Sequence, residues 1–379
     1  MAELPFTFGR IADADHFTDR DDERARLRRN FTALVNTVIV SPRRWGKSSL
    51  VARAAAEATA ADRKLRVCRI DVFNVRDEAG FYSQLAQGVL RATSTRLEEW
   101  VQAAKQFLGR LRPNITFTAA DTPQLTLDLD WDEVTRTPDD VLDLAENLAK
   151  AHKVRLVVCV DEFQAVGDFK DALAFQRKLR SHWQQHENVC YCLYGSKRHM
   201  LVDIFTNPSM PFYRFADVMQ LAKIDNANWG DYIRDRFAQT GKSISVELAR
   251  DLAARVENHS YYVQQVALQA WFRTRTECTP EIVAAALDDL ADQLDLLFTG
   301  LVGSLTAKQA SFLQAVLDGE TALSSQSVLQ RYRLGTSANV TRTKEALAAK
   351  EIIDVTAAGV EILDPVFAYW LRTRYLSRA

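Results

Sequence analysis

The sequence predicts an α/β fold: a parallel sheet flanked by helices, then a helical stretch and a small C-terminal domain. Three observations carry this. VIVSPRRWGKSSLV at 38–51 passes from a β-branched run through a polar, lysine-bearing loop into an alanine-rich helix. VRLVVCVDE at 154–162 holds a short continuous apolar run, Leu156 to Val160, ending in two acids. Such runs are typical of parallel strands covered on both faces. From 226 to 303 the pattern is helical alone.

Length and composition set the frame. A chain of 379 residues has room for two or three domains. An apolar content of 47% supports a packed core. The formal charge of -1 supplies no global field toward nucleic acid or membrane, so such contacts need a local patch. No apolar run approaches a membrane span, and MAELPFTFGR has neither the basic start nor the apolar stretch of a secretory signal. The cysteines, Cys68, Cys159, Cys190, Cys192 and Cys278, include no C-x-x-C pair. They read as reduced core thiols, which with the missing signal gives a cytoplasmic expectation.

Val38-Ile39-Val40 reads as the first core strand and Lys47 onward as a helix. The loop between them nearly matches G-x-x-x-x-G-K-[ST], with Ser41 at the first glycine position. Strand, loop and helix in that order are the context a phosphate-binding loop requires. Ser41, Pro42, Arg43, Arg44, Trp45, Gly46, Lys47, Ser48 and Ser49 are therefore the candidate nucleotide-binding residues. Loop N–H groups and the helix N-terminus present partial positive charge to phosphate oxygens. Lys47 adds a full charge near the β and γ phosphates, and the Ser48 hydroxyl can ligate Mg²⁺. Gly46 admits close backbone approach. Ser41 lacks that freedom, so its φ must be ordinary, and Pro42 stiffens the turn.

RVCRIDVF at 66–73 reads as a second core strand and 81–111 as helical. The segment at about 112–133 alternates apolar and polar residues and reads as a hairpin-like insertion. Its Asp128, Asp130 and Asp132 share one strand face, which suits a solvated edge better than a cation site. A helix over 138–152 leads into the strand ending at Asp161-Glu162. In open parallel sheets ligands gather at the carboxyl ends of strands. There Asp161 would support Mg²⁺, and Glu162 would orient or deprotonate the attacking water. A helix cap is the simpler role for Asp161 taken alone. After a helix over 168–186, Val189 to Tyr194 forms a third apolar strand ending in Gly195-Ser196. Ser196 either touches the γ-phosphate or water, or caps the next helix.

Residues 226–303 read as a lid-like helical bundle, with Tyr261, Tyr262, Trp271 and Phe272 as core or interface aromatics. In 304–379, helices closed by Gly319 and Gly335 precede a third helix with Thr336 as its N-cap, then a hairpin around Ala358-Gly359. That order is a winged helix, whose third helix presents Ser337, Asn339, Arg342 and Lys344. Nine Lys/Arg against seven Asp/Glu leave a balance of only +2, weak for duplex DNA. Asn339, Arg342 and Lys344 are the DNA-contact candidates, and protein docking is the competing use of the same module.

With these pieces in place, the chain resembles the archaeal-type ATPase family among the AAA+ and STAND-related P-loop ATPases. The resemblance rests on FTDRDDERARL at 17–27, SPRRWGKSSL at 41–50, VCVDEFQAV at 158–166, YGSKRHM at 194–200, FYRFADVMQL at 212–221 and DPVFAYWLR at 364–372. Serine at the first loop position also occurs in that family's pattern, so the loop reads as intact. The resemblance implies a P-loop NTPase core over 1–225, a helical lid over 226–303 and a winged-helix domain over 304–379. It places Phe17, Asp19 and Arg20 near the adenine, although DRDDERARLRR also reads as an ordinary charged helix start. It offers Arg214 and Arg198 as γ-phosphate sensors, in cis or in trans. The family's G-x-P lid turn is replaced here by Asn258-His259-Ser260-Tyr261, which weakens any lid contact to phosphate. The expected activity is ATP hydrolysis with Mg²⁺, coupled to double-stranded DNA or a protein partner, with no membrane. A homo-oligomer fits the same reading. The contrasting expectation is a nucleotide-responsive interaction scaffold with little or no turnover.

Overall fold

The structure, a computed structural model, describes residues 4–12, 16–94, 97–108, 114–118, 124–128, 138–356 and 359–376. The chain divides into two compact units, Asp13–Ala222 and the combination of Met1–Ala12 with Lys223–Ala379.

The first unit is built on a five-stranded sheet. Helix α1 (Asp21–Ala33) leads to β1 (Thr37–Val40), α2 (Lys47–Ala61) and β2 (Leu65–Asp71). Helices α3 (Glu78–Thr93) and α4 (Leu97–Phe107) divide what the sequence suggested as one helical stretch. Strands β3 (Asn114–Thr118) and β4 (Gln124–Asp128) pair antiparallel as the expected hairpin. The rest of the 112–133 insertion lies outside the described residues, Asp130 and Asp132 included. A single turn, Asp139–Leu142, and α5 (Leu144–His152) precede β5 (Arg155–Asp161). A 3-10 turn over Phe163–Asp168, α6 (Ala172–Trp183), β6 (Val189–Gly195), α7 (Arg198–Thr206) and β7 (Asp217–Gln220) complete the unit.

Strand order is β2-β5-β6-β1-β7, with every neighbouring pair parallel. Side chains alternate between faces along a strand, and both faces here are buried. Val38, Val158, Val160 and Leu193 meet Phe81, Leu148 and Trp183 from α3, α5 and α6. Ile39, Val157, Cys159 and Cys192 meet Leu27, Phe31, Leu50 and Ala54 from α1 and α2. This double cover is why the strands read as continuous apolar runs. The five cysteines are all buried free thiols, and burial pushes the Cys68 and Cys190 thiols up, away from reactivity. Strand β6 lies between β1 and β5, so the strand ends at 40, 161 and 195 fall side by side.

The second unit is helical, ending in a small winged module. Helices α8 (Asn226–Gln239), α9 (Val246–Arg255), α10 (Ser260–Arg273), α11 (Pro280–Gln293) and α12 (Asp295–Gly303) are followed by α13 (Ala307–Leu317), α14 (Gln326–Arg331) and α15 (Ser337–Ala349). Strands β8 (Ile353–Thr356) and β9 (Gly359–Ile362) pair antiparallel before α16 (Pro365–Trp370). The segments 226–303 and 304–379 share one hydrophobic core, with Val266 and Leu290 in the same cluster as Phe312, Leu347 and Trp370. Asp364 ties them further: it caps α16 and accepts a hydrogen bond from the Tyr262 hydroxyl on α10. Residues 4–12 also pack here, although the sequence grouped them with the sheet domain. Phe6 is buried against Tyr232 and Phe237, and the Thr7 amide donates to Gln264 Oε1 at 3.3 Å. Among the described residues no helix is long and apolar enough to cross a membrane.

Candidate functional site

The site forms where β1, β5 and β6 end. After β1 the chain turns through residues 41–46, and α2 begins at Lys47. The left-handed backbone falls on Arg44 (φ 62°) and Gly46 (φ 90°), not on Ser41. Glycine meets the second of these without a Cβ penalty. Ser41 is buried, and its hydroxyl donates to the Pro42 carbonyl at 3.1 Å. A serine is therefore tolerated at the first glycine position because the loop places its unusual φ values elsewhere.

Lys47 is buried, and its ammonium donates to the carbonyls of Ser41 at 3.0 Å and Pro42 at 2.7 Å. The lysine thus closes the loop on itself, holding one cation inside the ring of backbone. Arg43 and Arg44 are exposed, while Trp45, Gly46, Ser48 and Ser49 are partly buried.

Ser48 is the point of convergence. Its hydroxyl donates to Asp161 Oδ2 at 2.8 Å, joining the start of α2 to the end of β5. Asp161 Oδ1 accepts the Glu162 amide at 2.9 Å, so the carboxylate does not cap the following turn. Its pKa rises from 3.8 to about 6, chiefly through burial, with Glu162 and Asp71 adding repulsion against the Ser48 bond. Two hydroxyl and carboxylate oxygens side by side, one reluctant to carry its charge alone, form a donor set suited to a hard divalent cation.

Glu162 occupies a left-handed backbone position, φ 55°. This costs a non-glycine residue about 1–2 kcal/mol. Its Oε2 accepts from the Ser196 hydroxyl at 2.9 Å, from the Ser196 amide at 3.3 Å and from Gln164 Nε2. Arg43 Nε donates to the same Ser196 hydroxyl at 3.1 Å. Ser196, buried at the end of β6, therefore links the loop to Glu162; Lys197, not Ser196, stands at the N-cap of α7.

The remaining candidates are placed differently. Phe17 packs on the apolar cluster beneath α2. Arg20 precedes α1 with φ 72° and is buried; Nη1 donates to Glu23 at 3.1 Å, and Nη2 has no hydrogen-bond partner. Burial lowers its pKa. Arg214 is exposed with its guanidinium 5.1 Å from the Tyr213 ring centre, and no hydrogen bond joins it to the loop or to Glu162. His259 is buried at the start of α10 beside Tyr262. In the second unit Thr336 caps α15 as expected, accepting from the Asn339 amide at 3.3 Å. Arg342 is exposed, and Asn339 and Lys344 are partly so.

Gln164 Nε2 donates to Glu162, a contact that only the DEFQ ending hints at in the sequence. The side chain fits there because of Gly195, 31 positions away in sequence. A Cβ at Gly195 would lie 1.8 Å from Gln164 Oε1 and 3.3 Å from the Glu162 Cα. Glycine is required there for close approach, not for backbone conformation.

Residues 296–373 match the family described as a probable winged helix domain. No curated protein matches the sequence. Solved structures do resemble it. The Walker-type ATPase PABY2304 of Pyrococcus abyssi has a TM-score of 0.68 at 16% identity, over 98% of this chain and 100% of that one. The ORC2 protein of Aeropyrum pernix, in its ADPNP–ADP complexes, has a TM-score of 0.61 at 13% identity, over 98% and 99%. Identities this low speak to fold alone. The chain thus has the fold of the Walker-type P-loop ATPases, a parallel sheet flanked by helices with a helical extension, and it ends in a winged-helix domain.

Proposed function

We propose that the protein is a Mg²⁺-dependent ATPase working as a nucleotide-driven switch or motor, with the winged helix as its output module toward duplex DNA or a protein partner. The observation that carries this reading is the 2.8 Å bond between Ser48 and Asp161. It unites the phosphate loop and the acidic strand end, the two halves a phosphoryl-transfer site requires. The fold shared with a Walker-type ATPase and with a protein seen in ADPNP–ADP complexes supports it further.

Each residue then has a task. Lys47 and the loop amides bind the β and γ phosphates. Phe17 and Arg20 serve the adenine end. Ser48 and Asp161 would hold Mg²⁺, which would neutralise phosphate charge. Glu162 accepts a proton from water as the water oxygen bonds to the γ-phosphorus. The bond from that phosphorus to the bridging oxygen breaks, leaving ADP and inorganic phosphate. Arg214 remains a candidate for trans action on a second copy, given its exposure. Asn339, Arg342 and Lys344 supply the polar and cationic contacts of the output helix.

Phosphate release, measured with Mg²⁺, with a chelator, and with and without duplex DNA, tests the reading. Mg²⁺-dependent release supports it. Tight ATP binding with no release under any condition supports the nucleotide-responsive scaffold instead.

A further inference from the structure

We infer that Gln164 is a positioning residue for Glu162: its buried amide anchors one carboxylate oxygen and leaves the other for the water. The inference rests on the ATPase reading of Glu162 above. Three donors converge on Oε2, namely Gln164 Nε2, the Ser196 hydroxyl at 2.9 Å and the Ser196 amide at 3.3 Å. Oε1 accepts no hydrogen bond from the described residues. A carboxylate held by one oxygen alone is fixed in direction while keeping a basic oxygen exposed to its substrate.

The direction of the Ser196 bond is set by charge. Arg43 Nε can only donate, and it points at the Ser196 oxygen from 3.1 Å. The single hydroxyl proton of Ser196 is then committed to Glu162. Arg43 thereby reaches Glu162 through Ser196, whereas Gln164 reaches it directly.

Gln164 is a costly choice for packing. The side chain is 4% exposed and its Oε1 has no hydrogen-bond partner. A buried unsatisfied acceptor is destabilising, and an apolar side chain of similar length would avoid the penalty. Gly195 also lacks the Cβ that would strike Oε1 at 1.8 Å. Two positions on different strands' ends are thus specialised to hold one amide against one carboxylate.

The test is Gln164→Met, which keeps length and removes the donor. Positioning predicts that kcat falls about tenfold or more, that ATP affinity stays within about twofold, and that Tm is unchanged or higher. In a Glu162→Gln background the same change should cost nothing further, because the carboxylate it positions is gone. Gly195→Ala, which displaces the amide from the other side, should reproduce the split between kcat and affinity. Unchanged or faster turnover in Gln164→Met overturns the inference, the faster case showing an amide that restrains Glu162. Parallel losses of kcat, affinity and Tm, or failure to fold, also overturn it, since the amide would then be structural. If Glu162→Gln itself turns over like the wild type, the ATPase reading of Glu162 fails and positioning falls with it. Turnover that depends on Glu162 but ignores Gln164 removes positioning alone.

Discussion

Asp161 provides a prediction whose size follows from its surroundings. Burial raises its pKa from 3.8 to about 6. Below about pH 3 the carboxyl is protonated in folded and unfolded chains alike, and it costs little. As pH rises toward 6 the unfolded chain has lost a proton that the folded chain still holds, so stability falls. Above about pH 7 both are ionised, and the full cost of about 3 kcal/mol is present. Asp161→Asn removes the charge at nearly constant shape. It also replaces one acceptor oxygen by a donor, which returns about 1 kcal/mol of loss. The variant should therefore be more stable than the wild type by about 2 kcal/mol at pH 8, or roughly 4–8 °C in Tm for a unit of this size. At pH 4.5 the advantage should vanish, because the charge cost there is only about 1 kcal/mol. Thermal unfolding of both proteins, with chelator present and nucleotide absent, measures the difference at each pH. A gap of equal size at the two pH values, or a variant less stable at pH 8, would refute the reasoning.

Two further outcomes follow from the geometry. Lys47→Ala removes a buried ammonium and its charge-assisted bonds, and should weaken ATP binding by about 100-fold or more in a folded protein; calorimetry showing unchanged affinity would remove the loop from the site. Arg342→Ala combined with Lys344→Ala should weaken duplex binding and flatten its salt dependence by up to about 2 in log–log slope. Anisotropy across a salt series decides it, and absence of duplex binding by the wild type with ATP and Mg²⁺ would turn the search to protein partners.

What could be read from the sequence was local. β1, its loop and α2 lie within 25 residues and announce themselves by a change of period. β5 and β6 are apolar throughout because both faces of the sheet are covered. The winged module declared its order through helix ends at Gly319 and Gly335 and the N-cap at Thr336. What escaped depended on tertiary contact. β7 is four residues with only Met219 buried, so no run or alternation marks it as the sheet edge. Arg20 sits in a charged stretch that looks solvated, yet folding buries it. Phe6 joins a core whose other members begin beyond residue 220. Residues 138–152 break at Asp143, whose carboxylate turns to bond His182 Nδ1 at 2.7 Å and His186 Nε2 at 3.2 Å. Gln164 matters only because Gly195 leaves it room.

The most direct test of the account is single-turnover phosphate release by Glu162→Gln, with ATP binding measured in parallel. The amide nearly matches the carboxylate in shape but cannot accept the water's proton. ATP bound as tightly as by the wild type, with release slowed about 100-fold or more, is the predicted result. Release at the wild-type rate would contradict the assignment of Glu162 as the base.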